Sequence, residues 1–169
     1  MRRLLIAVSL IALAACGQSP APSTTETPTA TTTESAASAP AATTTEVDEE
    51  ILEAVAELPA PYNQANYEAG RRVFAQCRSC HTIGRGEPNR VGPNLHGVFG
   101  REIGTAPGFN YSQAVQDANF TWDAEHLNNW LSNPQTFLPG NRMAFAGVHN
   151  ETQRRDVIAY LMVESRPEH

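Results

Sequence analysis

The sequence predicts an all-α fold: a small domain of three to five helices, preceded by a disordered tether, whose long loops need a covalent staple. Three observations carry this. Helix caps and 3.6-residue apolar periods recur through the second half of the chain, and few strands are expected. The stretch from Thr82 to Asn110 is rich in Gly, Pro and Asn, and irregular loops of that length in a small domain need something to hold them. Residues 17–46 are mostly Thr, Ala, Ser and Pro with scattered Glu and no large apolar side chain. Such a segment cannot bury enough surface to offset its ordering entropy.

The elements follow in chain order. Residues 1–15 have the three parts of a bacterial export signal: Arg2 and Arg3, an apolar run from Leu4 to Ala12, then small residues. The run is too short to span a bilayer. It ends Leu13-Ala14-Ala15-Cys16, similar to the lipobox of bacterial lipoproteins, where the Cys becomes the lipidated first residue. The alternative is an ordinary signal peptide with a Cys near the cut. Residues 16–46 read as the tether, with a root-mean-square span of roughly 30 Å for about 30 flexible residues. In residues 47–61, Val47, Ile51, Leu52, Val55 and Leu58 recur near a helical period with acids between them, and Pro59 and Pro61 end the pattern. Two readings stand here: a helix docked on the domain, or a marginal helix within the tether.

The compact domain occupies residues 62–169. A first helix is expected from about Asn66 to Gln76 and a short one over Ser112–Ala118. Another runs from an Asp123 N-cap to a stop at Asn133-Pro134. The last begins at Asn150, where Asn150 and Gln153 have capping-box spacing, and Pro167 closes it.

Charge is unevenly placed. Residues 17–61 hold eight acids and no base, whereas residues 62–169 hold ten Arg and ten Asp or Glu, within a formal net charge of −6. The chain has no Lys. A nucleic-acid role therefore lacks its basic patch, and any positive docking face must be built from Arg.

Cys77-Arg78-Ser79-Cys80-His81 is a C-x-x-C-H motif, the attachment signature of c-type haem. Two thiols three positions apart can add to the two vinyl groups on one porphyrin edge, and the following imidazole sits under the iron. The rival readings are weaker. A redox dithiol needs a βαβ context, and a structural zinc site needs a second ligand pair. A disulfide leaves His81 unexplained. One haem c, covalent through Cys77 and Cys80, is the expected cofactor, and it is the staple the loops require.

With these residues in place, the domain resembles a class I cytochrome c of the mitochondrial and alphaproteobacterial type, here in a lipoprotein-anchored form. The match includes Gly70 and Phe74, the run Val91–Arg101, Pro107–Ser112, Trp122, Asn133-Pro134, Pro139–Met143, Phe145–Gly147 and Ile158–Leu161. The resemblance implies a cytochrome c fold and axial ligation by His81 and Met143. Met162 is the rival methionine and, amid Val157, Ile158 and Leu161, reads as core. The Pro93 carbonyl would accept the His81 Nδ1–H, and Arg101, Tyr111 and Trp122 would hold a haem propionate. His96 is expected to make a structural hydrogen bond. His126 and His149 are expected at the surface, and His169 is terminal. Gly70 would let the first and last helices cross closely, with Phe74 and Tyr160 filling the crossing. Trp130 stands where many relatives have a Tyr that contacts the Met sulfur, and Asn141 where relatives often have Thr.

The expected function is one-electron Fe(II)/Fe(III) transfer by a membrane-tethered periplasmic carrier in a respiratory or photosynthetic chain, not enzymatic catalysis. The implied partners are a quinol-oxidising cytochrome complex and a terminal oxidase. A lipid anchor at Cys16 would hold a monomer to the membrane. The alternatives are a fixed haem subunit of a larger oxidoreductase, or a haem peroxidase or gas sensor with a labile Met.

Overall fold

A computed structural model describes residues 42–167, with side chains from residue 48. The expected signal segment, Cys16, most of the tether and His169 lie outside the described residues.

Helix α1 spans Ala42–Ala56. After a 3-10 turn at Tyr62–Gln64 come α2 (Tyr67–Phe74), α3 (Gln113–Gln116), α4 (Ala124–Ser132), α5 (Pro134–Phe137) and α6 (Glu151–Glu164). Among the described residues there is no strand, only an isolated antiparallel bridge between Glu102 and Thr121.

The caps explain the boundaries. Asn66, Asp123 and Asn150 each turn a side-chain oxygen onto a backbone N–H three residues ahead, at 2.8, 2.7 and 2.9 Å. Each bond satisfies a donor the helix cannot use internally. Asn133-Pro134 ends α4 as expected but also starts α5. Asn133 accepts the Thr136 N–H at 3.1 Å and Pro134 occupies the first helical position, where its missing N–H costs nothing.

The frame is the crossing of α2 over α6. Gly70 lies so close to α6 that a Cβ there would sit 2.2 Å from the Asp156 carbonyl oxygen. Phe74 and Tyr160, both buried, fill the crossing with ring centroids 5.1 Å apart. The Asp156 carboxylate accepts the Asn66 N–H at 3.1 Å and locks the start of α2 to α6.

Of the two readings for the acidic helix, the docked one holds. Val55 and the following Leu58 are buried against Ala159 and Val163 of α6, and Arg166 donates to the Ala54 carbonyl at 3.3 Å. The helix begins at Ala42, ahead of the Val47 expected, so the stretch assigned to the tether is already helical from there. Helix α6 is thus covered on two sides. Val157 and Leu161 face a large internal cavity, while Ala159 and Val163 face α1.

Gly70→Ala should lower the stability of the haem-loaded protein by about 2 kcal/mol, the usual scale of overpacking against backbone. Guanidinium unfolding followed by far-UV circular dichroism measures it, with a reduced midpoint at unchanged slope.

Candidate functional site

The residues after α2 continue as a turn rather than a helix. Cys77 N–H donates to the Phe74 carbonyl at 2.8 Å, and His81 N–H to the Cys77 carbonyl at 2.8 Å. This turn sets Cys77, Cys80 and His81 on one side of the chain, and all three line a cavity of about 720 Å³. That volume lies in the range of cofactor sites. Neither cysteine is in a disulfide. Burial, with Cys80 beside it, pushes the Cys77 thiol up to about 11. A redox dithiol lowers its nucleophilic thiol instead.

The His81 ring is fixed from two directions. Its Nδ1–H donates to the Pro93 carbonyl at 2.7 Å. A carbonyl only accepts, so the proton sits on Nδ1 and Nε2 keeps a lone pair. Gly92 packs on the same ring, and a Cβ there would come within 2.3 Å of it. Burial lowers the His81 pKa, the Pro93 bond opposing, so the neutral, ligand-competent form is favoured.

The loop from Thr82 to Leu95 folds back on the motif through Gly92 N–H to the Cys80 carbonyl and Leu95 N–H to the Thr82 carbonyl, both 2.8 Å. Asn94 holds it together. Its side-chain amide donates to Thr82 Oγ1 and the Gly84 carbonyl, and its oxygen accepts the His96 N–H.

Arg101 and Trp122 are brought side by side by the pairing around Glu102 and Thr121, with Trp122 N–H donating to the Arg101 carbonyl at 2.9 Å. The Arg101 guanidinium donates to the carbonyls of His96 and Asn94 at 3.0 and 3.1 Å. Burial pushes its pKa down, with Tyr111 acting against that. No carboxylate pairs with it among the described residues. Tyr111 lies half-buried in the same wall, its pKa raised by burial. Beside it the Ser112 hydroxyl is buried without a hydrogen-bond partner.

Met143 lies in the loop after α5. Asn141 is the buried centre of that loop: its amide donates to the Pro134 and Leu138 carbonyls at 2.8 Å each, and its oxygen accepts the Met143 N–H at 2.8 Å. Gln135 adds a bond to the Met143 carbonyl at 2.9 Å. Trp130 packs edge to face on Trp122 and Phe137, at 5.5 and 6.0 Å, and lines the cavity.

The cavity therefore gathers Cys77, Cys80, His81, Pro93, Arg101, Tyr111, Trp122 and Met143, every candidate residue within the described region. Met162 packs between the two apolar clusters and does not line it. One expectation changes: His96 bonds through its main chain, while its ring Nδ1 is buried without a partner. His126 is at the surface as expected, where its Nδ1 meets Asp123 at 2.8 Å and its ring stacks on Phe120 at 4.5 Å. Ser112 and the hub role of Asn141 went unread. Ser112 was visible only as part of a motif, and the reach of Asn141 crosses seven residues with no periodic signal.

These residues fit a haem. The wall is apolar, two thiols and an imidazole converge on it, and a half-buried guanidinium with no carboxylate partner and an orphaned hydroxyl suit a propionate. Such an arrangement, in an all-helical domain, is that of a haem protein with covalent attachment. Residues 67–163 match the family model described as Cytochrome c, and the chain belongs to that family, whose members bind haem c covalently, here through Cys77 and Cys80. It is 42% identical over 106 residues to a cytochrome c from Kluyveromyces lactis, covering 62% of this chain and 96% of that protein. It is 43% identical over 102 residues to a cytochrome c2 from Blastochloris viridis, covering 60% of this chain and 80% of that one. Among solved structures it is similar to cytochrome cH from Methylobacterium extorquens, at 38% identity and a TM-score of 0.55 over 59% of this chain and 99% of that chain.

Asn141→Ala leaves two carbonyls and the Met143 N–H without their partner. A loss of about 2–3 kcal/mol is expected, with faster hydrogen exchange at the Met143 amide than in the wild type.

Proposed function

We propose that this cytochrome c family member is a one-electron carrier held to a bacterial membrane on the periplasmic side. Cys77 and Cys80 would attach the haem, and His81 and Met143 would ligate its iron. When bound, the haem supplies the iron whose Fe(II)/Fe(III) change carries the electron. Pro93 orients His81 and raises its donor strength. Arg101, Tyr111 and Trp122, with Ser112, take up a propionate. The Met143 loop braced by Asn141 would hold the thioether toward the iron, and a soft ligand of that kind would raise the reduction potential.

The observation that supports this reading best is the company Met143 keeps. His81 and Met143 line one cavity, and no Asp, Glu or second His among the described residues lines it with them. A peroxidase needs an open iron position and a distal group to move protons. Lipidation at Cys16, with the Thr-, Ala-, Ser- and Pro-rich segment after it as a tether, would keep the domain near its partners at an effective concentration on the order of millimolar. A quinol-oxidising cytochrome complex as donor and a terminal oxidase as acceptor suit such a carrier, acting as a monomer. A fixed haem subunit of a larger oxidoreductase shares the site and differs only in how the domain is held.

Two outcomes test this. Oxidised wild-type protein should show the weak far-red band of an iron–thioether bond and bind CO slowly when reduced. Met143→Ala should lose the band, keep the covalent haem and bind CO rapidly. Rapid CO binding by the wild type would favour the sensor or peroxidase reading. Separately, Cys16→Ser should release the protein from the membrane fraction into the soluble periplasmic extract.

A further inference from the structure

The crossing of α2 and α6 carries a stack of aromatic rings that runs from the cavity to the outer face of the domain. Phe74 is fully buried and lines the cavity. Its ring centroid lies 5.1 Å from that of Tyr160, and Tyr160 lies 5.2 Å from Tyr67. Both spacings are those of aromatic pairs in contact. Tyr160 is buried and Tyr67 half-buried, so the stack starts at the haem site and ends within reach of solvent.

The two tyrosines have opposite surroundings. Tyr160 Oη accepts an N–H from Arg78 at 3.2 Å, and that guanidinium also lies over the Phe74 ring, 5.7 Å from its centroid. A fixed cation beside a ring opposes the loss of an electron from it. Tyr67 instead donates its hydroxyl to the Glu164 carboxylate. Glu164 is half-buried, and no Arg or His bridges it among the described residues. A carboxylate in hydrogen-bond contact is a base positioned for that phenolic proton. Burial and the Glu164 bond push the Tyr67 pKa up, so the phenol keeps its proton until the ring is oxidised.

We infer that Tyr67 is a redox-active side chain, connected to the haem through Tyr160 and Phe74, at which diffusing radical oxidants are reduced. The inference rests on the carrier reading above and gives the same electron a second exit. A one-electron radical oxidant takes an electron from the Tyr67 ring, and the phenolic proton passes to Glu164. Electron and proton leave together, so no positive charge builds up on the half-buried ring. Tyr67 then regains an electron along the stack from the reduced haem and its proton from Glu164. The net change is one radical reduced and one Fe(II) oxidised to Fe(III), with Tyr67 and Glu164 restored. Tyr67 also packs against the cluster that α1 forms with α6, which covers part of the ring against coupling with a second radical.

The test uses the haem-loaded full chain carrying Glu68→Cys, labelled there with a ruthenium polypyridine complex. A flash with a soluble oxidative quencher makes the label a one-electron oxidant beside Tyr67. Freeze-quench EPR reads the tyrosyl radical, and visible absorption reads the haem. With the haem already oxidised, the flash should leave a tyrosyl signal that Tyr67→Phe abolishes. With the haem reduced, that signal should decay as the haem oxidises, at one common rate. Tyr67→Phe should slow haem oxidation about tenfold, equivalent to about 1.4 kcal/mol in the barrier, and Glu164→Gln should slow formation of the tyrosyl signal by a similar factor. Both variants should keep the far-UV circular dichroism and visible spectrum of the wild type. The proposal is overturned if Tyr67→Phe retains the signal or oxidises its haem at the wild-type rate. It is equally overturned if the signal decays without haem oxidation, or forms as fast in Glu164→Gln. Failure of the carrier reading would look different: no reversible one-electron couple in a mediator titration of the unlabelled protein.

Discussion

The close approach of α2 to α6 at Gly70 sets the position of everything the haem needs. It fixes where α2 ends, and so where the Cys77–His81 turn begins. Phe74 stands at the junction, buried in the crossing on one side and lining the cavity on the other. Displacing the crossing would therefore move both thiols and the imidazole together. Helix α6 is held in turn by α1 from behind. The order of dependence runs outward: α1 braces α6, α6 seats α2, and α2 aims the motif.

The loops around the cavity have no comparable frame, because the helices among them are short. Asparagine side chains do the work there. Asn94 gathers the turns after His81, and Asn141 gathers those before Met143. An amide can donate twice and accept at the same time, so one buried side chain satisfies several backbone groups that a helix or sheet would otherwise have to satisfy. Thr, with a single hydroxyl, could not supply both donors that Asn141 gives to Pro134 and Leu138.

How much of this was legible depended on range. Signals confined to three or four residues were readable. The caps at Asp123 and Asn150 are legible in this way, as is the attachment motif, and Asn66 is legible as the start of a helix. Gly70 could be assigned its crossing because a helix-interior glycine costs about 1 kcal/mol and so needs a reason. Asn133-Pro134 was read as a stop because proline ends helices, although it also begins them, and α5 was missed for that reason. The start of α1 was placed late because Ala and Thr carry no apolar period. The partnerless ring of His96 and the bridge that pairs Arg101 with Trp122 depend on tertiary contacts that no local pattern encodes.

The size of the cavity leads to a last step about folding. The cavity measures about 720 Å³, opens to solvent at its mouth and is walled mainly by apolar side chains, so that wall gains hydrophobic stabilisation only when something apolar covers it. The loops on either side of the cavity are tied mainly by side-chain bonds worth about 1 kcal/mol each, too few to hold an unfilled shell of this shape. Filling the cavity is therefore part of the folding free energy, and attachment at Cys77 and Cys80 makes that contribution permanent. The same covalent link fixes the turn that carries His81 against the cavity wall, so the geometry that holds the haem is also the geometry that keeps the chain folded.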